Sequence, residues 1–214
     1  MDNANITCEV APAILFLNVY ECDTKKAQDA SFNVDTKDAG AVLVLKDGTK
    51  NNINGSYVAK IYKDKEGEKK LWKQDGAIYS YMSLNVEGKG ELNLIADNEG
   101  LNSERHISIN NGDINIYSDN DGINTNEDGI SVTTINGGNV NIVAGLGKEG
   151  DAIDSNGWIV VNGGNLYLKS NPISDSGLDS DMGTYINGGN VVSTASMMDN
   201  PHKDSKSVVL KQLR

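Results

Sequence analysis

Ile135-Asn136-Gly137-Gly138-Asn139-Val140-Asn141-Ile142 sets a tight polar turn inside an alternating aliphatic strand, and the same pattern recurs along the second half of the chain. Four tetrads align without gaps: Asn110-Asn111-Gly112-Asp113, Asn136-Gly137-Gly138-Asn139, Asn162-Gly163-Gly164-Asn165 and Asn187-Gly188-Gly189-Asn190. Their spacings are 26, 26 and 25 residues. A second motif precedes each tetrad: Glu99-Gly100-Leu101-Asn102-Ser103, Asp121-Gly122-Ile123-Asn124-Thr125, Asp151-Ala152-Ile153-Asp154-Ser155 and Ser176-Gly177-Leu178-Asp179-Ser180. The copy at Ile123 stands farther from its tetrad than the other three, which places an insertion and a surface bulge near Asn126-Glu127-Asp128-Gly129.

A fixed period of this length, with short strands and Gly/Asn/Asp turns, predicts an all-β, right-handed parallel β-helix (a solenoid) with coils of about 25 residues. Because side chains alternate faces along a strand, Ile109, Ile135, Val161 and Ile186 are expected to point inward. Ile114, Val140, Leu166 and Val191 follow them, then Ile116, Ile142 and Leu168. In stacked coils each set becomes an aliphatic ladder with a step of about 4.8 Å. Weaker copies extend the pattern upstream, at Ala41 to Asn52 with its Lys46-Asp47-Gly48-Thr49 turn and at Ala77 to Gly88. The expected layout is one domain: an N-terminal cap over about residues 1–40, coils over about 41–195, and a closing segment over about 196–214 that ends in a strand from Ser207 to Leu213. The charged stretch Lys63 to Lys73 breaks the period and reads as a protruding hairpin or loop.

The composition agrees, with 23 Gly against 3 Pro. A net charge of -11 argues against nucleic acid, whose phosphates need clustered Lys and Arg, and points toward cations as partners. The longest apolar run, Ala11 to Val19, is broken by Pro12 and Asn18, so it fits neither a membrane span nor a signal peptide. For Cys8 and Cys22, a disulfide near the cap and two buried thiols both remain open.

Stacking turns the second motif into acidic ladders, with Asp121 over Asp151 and Asp154 over Asp179. Like charges at coil spacing repel unless protonated or bridged by a hard cation. Calcium takes six to eight oxygens, and Asp121, Glu149, Asp151, Asp154, Asp175, Asp179 and Asp181 are its candidate ligands; solvated turn residues are the plainer alternative. Outward aromatics supply a second constellation, since sugars combine apolar ring faces with hydroxyls. Tyr167 falls between Asn141 and Val192, Tyr117 shares a ladder with Val143 and Lys169, and Trp158 with Tyr185 forms a patch on another face; a partly buried residue covered by a loop is the alternative for Trp158, and a structural role the alternative for Tyr117 and Tyr167. Catalytic signals are thin. His106 and His202 occupy unrelated points of the repeat, and nothing singles out Lys148, Lys169 or Arg105 as a base.

Leu45-Lys46-Asp47-Gly48-Thr49-Lys50-Asn51, then Ala77-Ile78 leading to Leu84-Asn85-Val86-Glu87-Gly88-Lys89-Gly90, then the repeated Asp-Gly-Ile-Asn and Asn-Gly-Gly-Asn turns, together resemble bacterial carbohydrate-binding β-helix proteins. These were first recognised in cellulolytic clostridia and are similar in fold to pectate lyases. The resemblance implies a secreted or surface-displayed protein that binds plant cell-wall polysaccharide, cellulose or acidic pectic chains, with calcium on Asp-rich turns. Catalysis does not transfer with it. Glu99, Ala152 and Ser176 depart from the Asp-Gly-Ile pattern, which directs the cation site to the Asp151 to Asp181 region. The resulting reading is a non-catalytic polysaccharide-binding protein. A calcium-dependent polyuronate lyase and a surface adhesin or structural repeat without sugar ligand are its competitors.

Overall fold

A computed structural model describes residues 1–17, 29–58, 62–63, 69–70, 74–173, 175–197 and 199–206. Cys22 and the strand expected from Ser207 to Leu213 lie outside the described residues. The described chain contains no helix, and its strands stack into three parallel sheets. The first sheet comprises Asn5–Thr7, Lys50–Gly55, Glu91–Ala96, Asp113–Ser118, Asn139–Val143, Asn165–Lys169 and Asn190–Thr194. The second runs Ile14–Phe16, Gly76–Ser80, Glu99–Ser103, Ile123–Thr125, Ile153–Ser155 and Leu178–Ser180. The third runs Ala41–Leu45, Leu84–Gly88, His106–Ile109, Val132–Ile135, Trp158–Val161 and Gly183–Ile186. Each coil contributes one strand to each sheet in turn, so the molecule is a parallel β-solenoid.

The register follows the sequence alignment. Ile114 pairs with Val140, Val140 with Leu166 and Leu166 with Val191, and Ile116, Ile142 and Leu168 align beside them. These ladders, with Ile109, Ile135 and Val161, form one continuous buried core. Val191 and Ile186 are only partly buried, because they belong to the last coil among the described residues. Ser80, Ser103, Thr125, Ser155 and Ser180 also align one above another, at the bend between the second and third sheets. Their hydroxyls are placed inside because they satisfy the bending main chain: Ser103 Oγ donates to the Met82 carbonyl at 2.8 Å and accepts from the Arg105 N–H at 3.0 Å.

The Asn-Gly-Gly-Asn tetrads form the corner between the third and first sheets. Two amide ladders climb it. Asn136, Asn162 and Asn187 each donate through Nδ2 to the asparagine one coil earlier, at 2.8, 2.9 and 3.0 Å. Asn139, Asn165 and Asn190 repeat the arrangement above Asp113 at 2.6, 2.8 and 2.9 Å. The glycine between the ladders answers two demands. Gly164 has φ +89°, and a Cβ there would sit 2.8 Å from the Gly138 carbonyl oxygen.

Two insertions interrupt the period near the N-terminus. The amide ladder of the first sheet steps by 26 and 22 residues in the regular coils, but by 41 and 47 in the first two. One insertion contains the antiparallel hairpin Tyr62–Lys63 with Lys69–Lys70, as the charge pattern suggested. The other ends in a strap, residues 29–40, that lies along the outside of the third sheet. Phe32 stacks on Tyr185 with ring centroids 4.2 Å apart, Val34 packs against Val132, Trp158 and Val160, and Thr36 Oγ1 meets Ser108 Oγ at 2.8 Å. Asn85 Nδ2 donates to the Thr36 carbonyl at 2.6 Å. The residues expected to cap the chain therefore also supply the first rung of two sheets and brace the third.

Replacing glycine at the corner separates backbone strain from collision. Gly164→Ala is expected to lower stability by about 1–3 kcal/mol or more. Gly48→Ala, also at positive φ but with open space around the new Cβ, loses only the strain part, roughly 1 kcal/mol. Urea unfolding of the two variants checks the order; equal losses would contradict it.

Candidate functional site

Along the outer face of the second sheet, the polar position of the second motif forms a column. Tyr79, Asn102, Asn124, Asp154 and Asp179 succeed one another in register. Beside it runs the first position of the motif, where the Asp151 N–H donates to Asp121 Oδ1 at 2.8 Å and the Ser176 N–H to Asp151 Oδ1 at 2.5 Å. The solenoid thus folds two acidic rows against each other. One carboxylate oxygen from each of Asp151, Asp154 and Asp179 lies within 4.8 Å of the others, a group able to hold a metal ion.

Burial raises every carboxyl of this cluster above its ordinary range, and neighbouring carboxylates add to the effect. Burial is the larger cause for Asp154, pushed up to about 7 with help from Asp151 and Asp179. Asp151 is pushed up to about 6, again chiefly by burial, against the Ser176 hydrogen bond. Asp121 is raised well above its usual value by burial and by Glu99, and Asp179 by burial and Asp199. Nearness of like charges in a partly dry site is expensive.

The predicted ligands divide. Asp121, Asp151, Asp154 and Asp179 come together. Asp175 stands at the margin, accepting from the Gly150 N–H at 3.0 Å. Glu149 is exposed on the loop before Asp151 and joins no group of acids among the described residues. Asp181 is exposed as well and reaches the cluster only through its charge on Asp154 and Asp179.

Two participants were not anticipated. Glu99 is only 6% exposed, accepts from the amides of Asn102 and, at 3.2 Å, Asn124, and is pushed up to about 7 by burial. Its position in the repeat, equivalent to Asp121 and Asp151, was the signal. Asp199 comes from the irregular C-terminal segment and accepts from the Ser180 N–H at 3.3 Å; no periodicity announces it. Asn124 completes the picture: its Oδ1 is buried without a hydrogen-bond partner among the described residues, in register with Asp154.

The aromatic candidates separate by face. Tyr117 and Tyr167 stand on the outer face of the first sheet, 50% and 56% exposed, alongside exposed Ile95 and Val192. Tyr117 aligns with Ile95 and Val143, Val143 with exposed Lys169, and Tyr167 lies between Asn141 and Val192. The other patch is not a free surface. Trp158 is 8% exposed beneath the strap, and Tyr185 is stacked by Phe32 and by His202, whose ring centroid is 4.4 Å away. Both were candidates to meet sugar, and for Trp158 the alternative of a residue covered by a loop is the one that the structure shows. They pack the strap and the C-terminal segment instead, because an outward position in a repeat says nothing about what later crosses it.

A family model described as carbohydrate-binding domain-containing protein matches residues 1–210. The chain belongs to this family. No curated protein matches it. Among solved structures, the family member is similar to the polysaccharide lyase-like protein from C. thermocellum, determined as a gadolinium derivative, with 20% identity and a TM-score of 0.57. The match covers 95% of this chain and 74% of the other. At that identity it shows the shared fold. No described helix of the family member is long and apolar enough to cross a membrane.

The raised carboxyls set a pH dependence. Each binds a proton more readily in the fold than in the unfolded chain, so lower pH favours the fold. Their contribution is complete below about pH 4 and is lost as pH rises through 6 to 7. In chelator, the melting temperature is therefore expected to fall between pH 5 and pH 8, less steeply in Asp154→Asn. A profile that rises over that interval would contradict the assignment.

Proposed function

We propose that this protein is a non-catalytic polysaccharide-binding module, secreted or surface-displayed, that lays plant cell-wall polysaccharide on the outer face of its first sheet. The observation that carries the reading is the exposure of Tyr117 and Tyr167 on a sheet face where Ile95 and Val192 are equally open. Pyranose rings stack their C–H faces on such side chains. Hydroxyls find amides in the adjoining column, where Asn93, Asn115 and Asn141 already bond one another at 3.0 and 2.9 Å. Lys169, at the edge of the same face, suits a carboxylate on an acidic chain.

Calcium fits the neighbouring cluster. Asp151, Asp154 and Asp179 are hard oxygen donors without the nitrogen or sulfur that zinc selects, and the orphaned Asn124 Oδ1 adds a neutral oxygen in register. When bound, calcium supplies the positive charge that lets these carboxyls ionise together at neutral pH, tying two coils to each other. Asp121 and Glu99 extend the acidic rows behind them.

The reading is non-catalytic because the leading charges acting on Asp151, Asp154 and Asp179 come from carboxylates. A lyase would need a basic Lys or Arg beside its cation to remove the proton. The structure's acidic edge does keep a polyuronate lyase as the second reading, since a cation beside a uronate acidifies its C5 proton.

Retention on insoluble cellulose and on immobilised polygalacturonate tests the function. The protein is expected to be retained on at least one, and Tyr117→Ala/Tyr167→Ala to lose about tenfold or more in affinity. Retention on neither overturns the reading. Absorbance of unsaturated product from polygalacturonate should stay flat; a rise would install the lyase. Calcium should raise the melting temperature of chelator-treated protein at pH 7.5, and Asp154→Asn should remove most of that rise.

A further inference from the structure

A groove of about 600 Å³ lies on the third sheet, away from both the tyrosine face and the acidic cluster, and within the size range of ligand sites. One wall is the strap, residues 32–37. The other is the outer amide ladder, Asn110, Asn136, Asn162 and Asn187, and the floor carries the hydroxyls of Ser108 and Thr134 beside Val160. The strap closes off one side of what would otherwise be a plain sheet corner.

Hydrogen-bond capacity shows what this wall offers. A carboxamide has two N–H donors and two acceptor lone pairs. In the ladder Asn136 and Asn162 each give one N–H to the coil before and accept one from the coil after, at 2.8 to 3.0 Å. Each keeps one donor and one acceptor, repeated at the coil spacing of about 4.8 Å. Groups that recur on a straight line match a polymer that recurs on a straight line. The charge of the lining narrows the polymer further. Glu87 and Asp35 are carboxylates, and the one cation among the described lining residues, Lys37, is held by Asp35 at 3.2 Å. A polyanion is repelled there, whereas hydroxyls are accommodated.

We infer that this groove binds a single extended strand of an uncharged polysaccharide, aligned with the solenoid axis, through the Asn136–Asn162 ladder and the strap. The ligand class rests on the carbohydrate-binding reading, while none of the residues is shared with the tyrosine face. The protein then has two glycan surfaces of different shape: an open face for broad or acidic material and a groove for one neutral chain.

Cellohexaose is a suitable neutral probe for the full chain, followed by nitrogen-15 NMR and calorimetry. The side-chain amide signals of Asn136 and Asn162 and the backbone signals of the strap are expected to shift. Asn136→Leu/Asn162→Leu, at two exposed positions, should weaken cellohexaose by about tenfold while remaining folded, as judged by its melting curve. Asn162→Asp keeps the side-chain shape and serves if the leucine variant does not fold; it should weaken the same probe. Shifts confined to residues around Tyr117 and Tyr167 would overturn the groove and leave the proposed function standing. Shifts in the groove alone would support it and leave the tyrosine face to be decided with polygalacturonate. No shift with any neutral oligosaccharide overturns the groove, and polygalacturonate retention then decides the other surface separately.

Discussion

Register between coils is the constraint on which everything else rests. It is fixed at the corner of third and first sheets, where glycine lets one backbone approach the carbonyl of the coil before, and where asparagine amides bond their own equivalents. A slip of one residue there would turn every aliphatic ladder outward. The same register decides the chemistry. Asp154 faces Asp179 because Asn162 lies over Asn136 and Asn187 over Asn162, so the acidic rows are a by-product of the turn that spaces the coils.

Those rows are costly to an isolated chain. Buried carboxyls beside one another favour the protonated state, and the main-chain N–H groups of Asp151 and Ser176 offset only part of the penalty. A purely structural solenoid has no need of them, since the aliphatic core and the hydroxyl ladder close the coil without charge. Their oxygens, brought within 4.8 Å of one another in Asp151, Asp154 and Asp179, form a group able to hold a metal ion.

The ladders and turns were legible because a stacked repeat converts sequence spacing directly into spatial neighbours; Ile114, Val140 and Leu166 needed no other information. The same logic placed Asp151, Asp154 and Asp179 together. It failed wherever a segment outside the repeat intervenes. Trp158 and Tyr185 occupy outward positions, but Val34, Phe32 and His202 arrive from segments with no period of their own. Asp199 enters the acidic edge by the same route. Glu99 breaks the Asp pattern, yet its longer side chain reaches the amides of Asn102 and Asn124 and so stays within the row.

The strap has a mechanical consequence. In a simple solenoid each coil touches only its neighbours, so the stack can fray one coil at a time from an open end. Here residues 29–40 join Asn85 near the beginning of the stack to Tyr185 near its end. Loss of the last coil must also release a segment anchored several coils away. A chain built from nearest-neighbour steps is thereby cross-linked along its length without a covalent bond, and its melting becomes more nearly all-or-none.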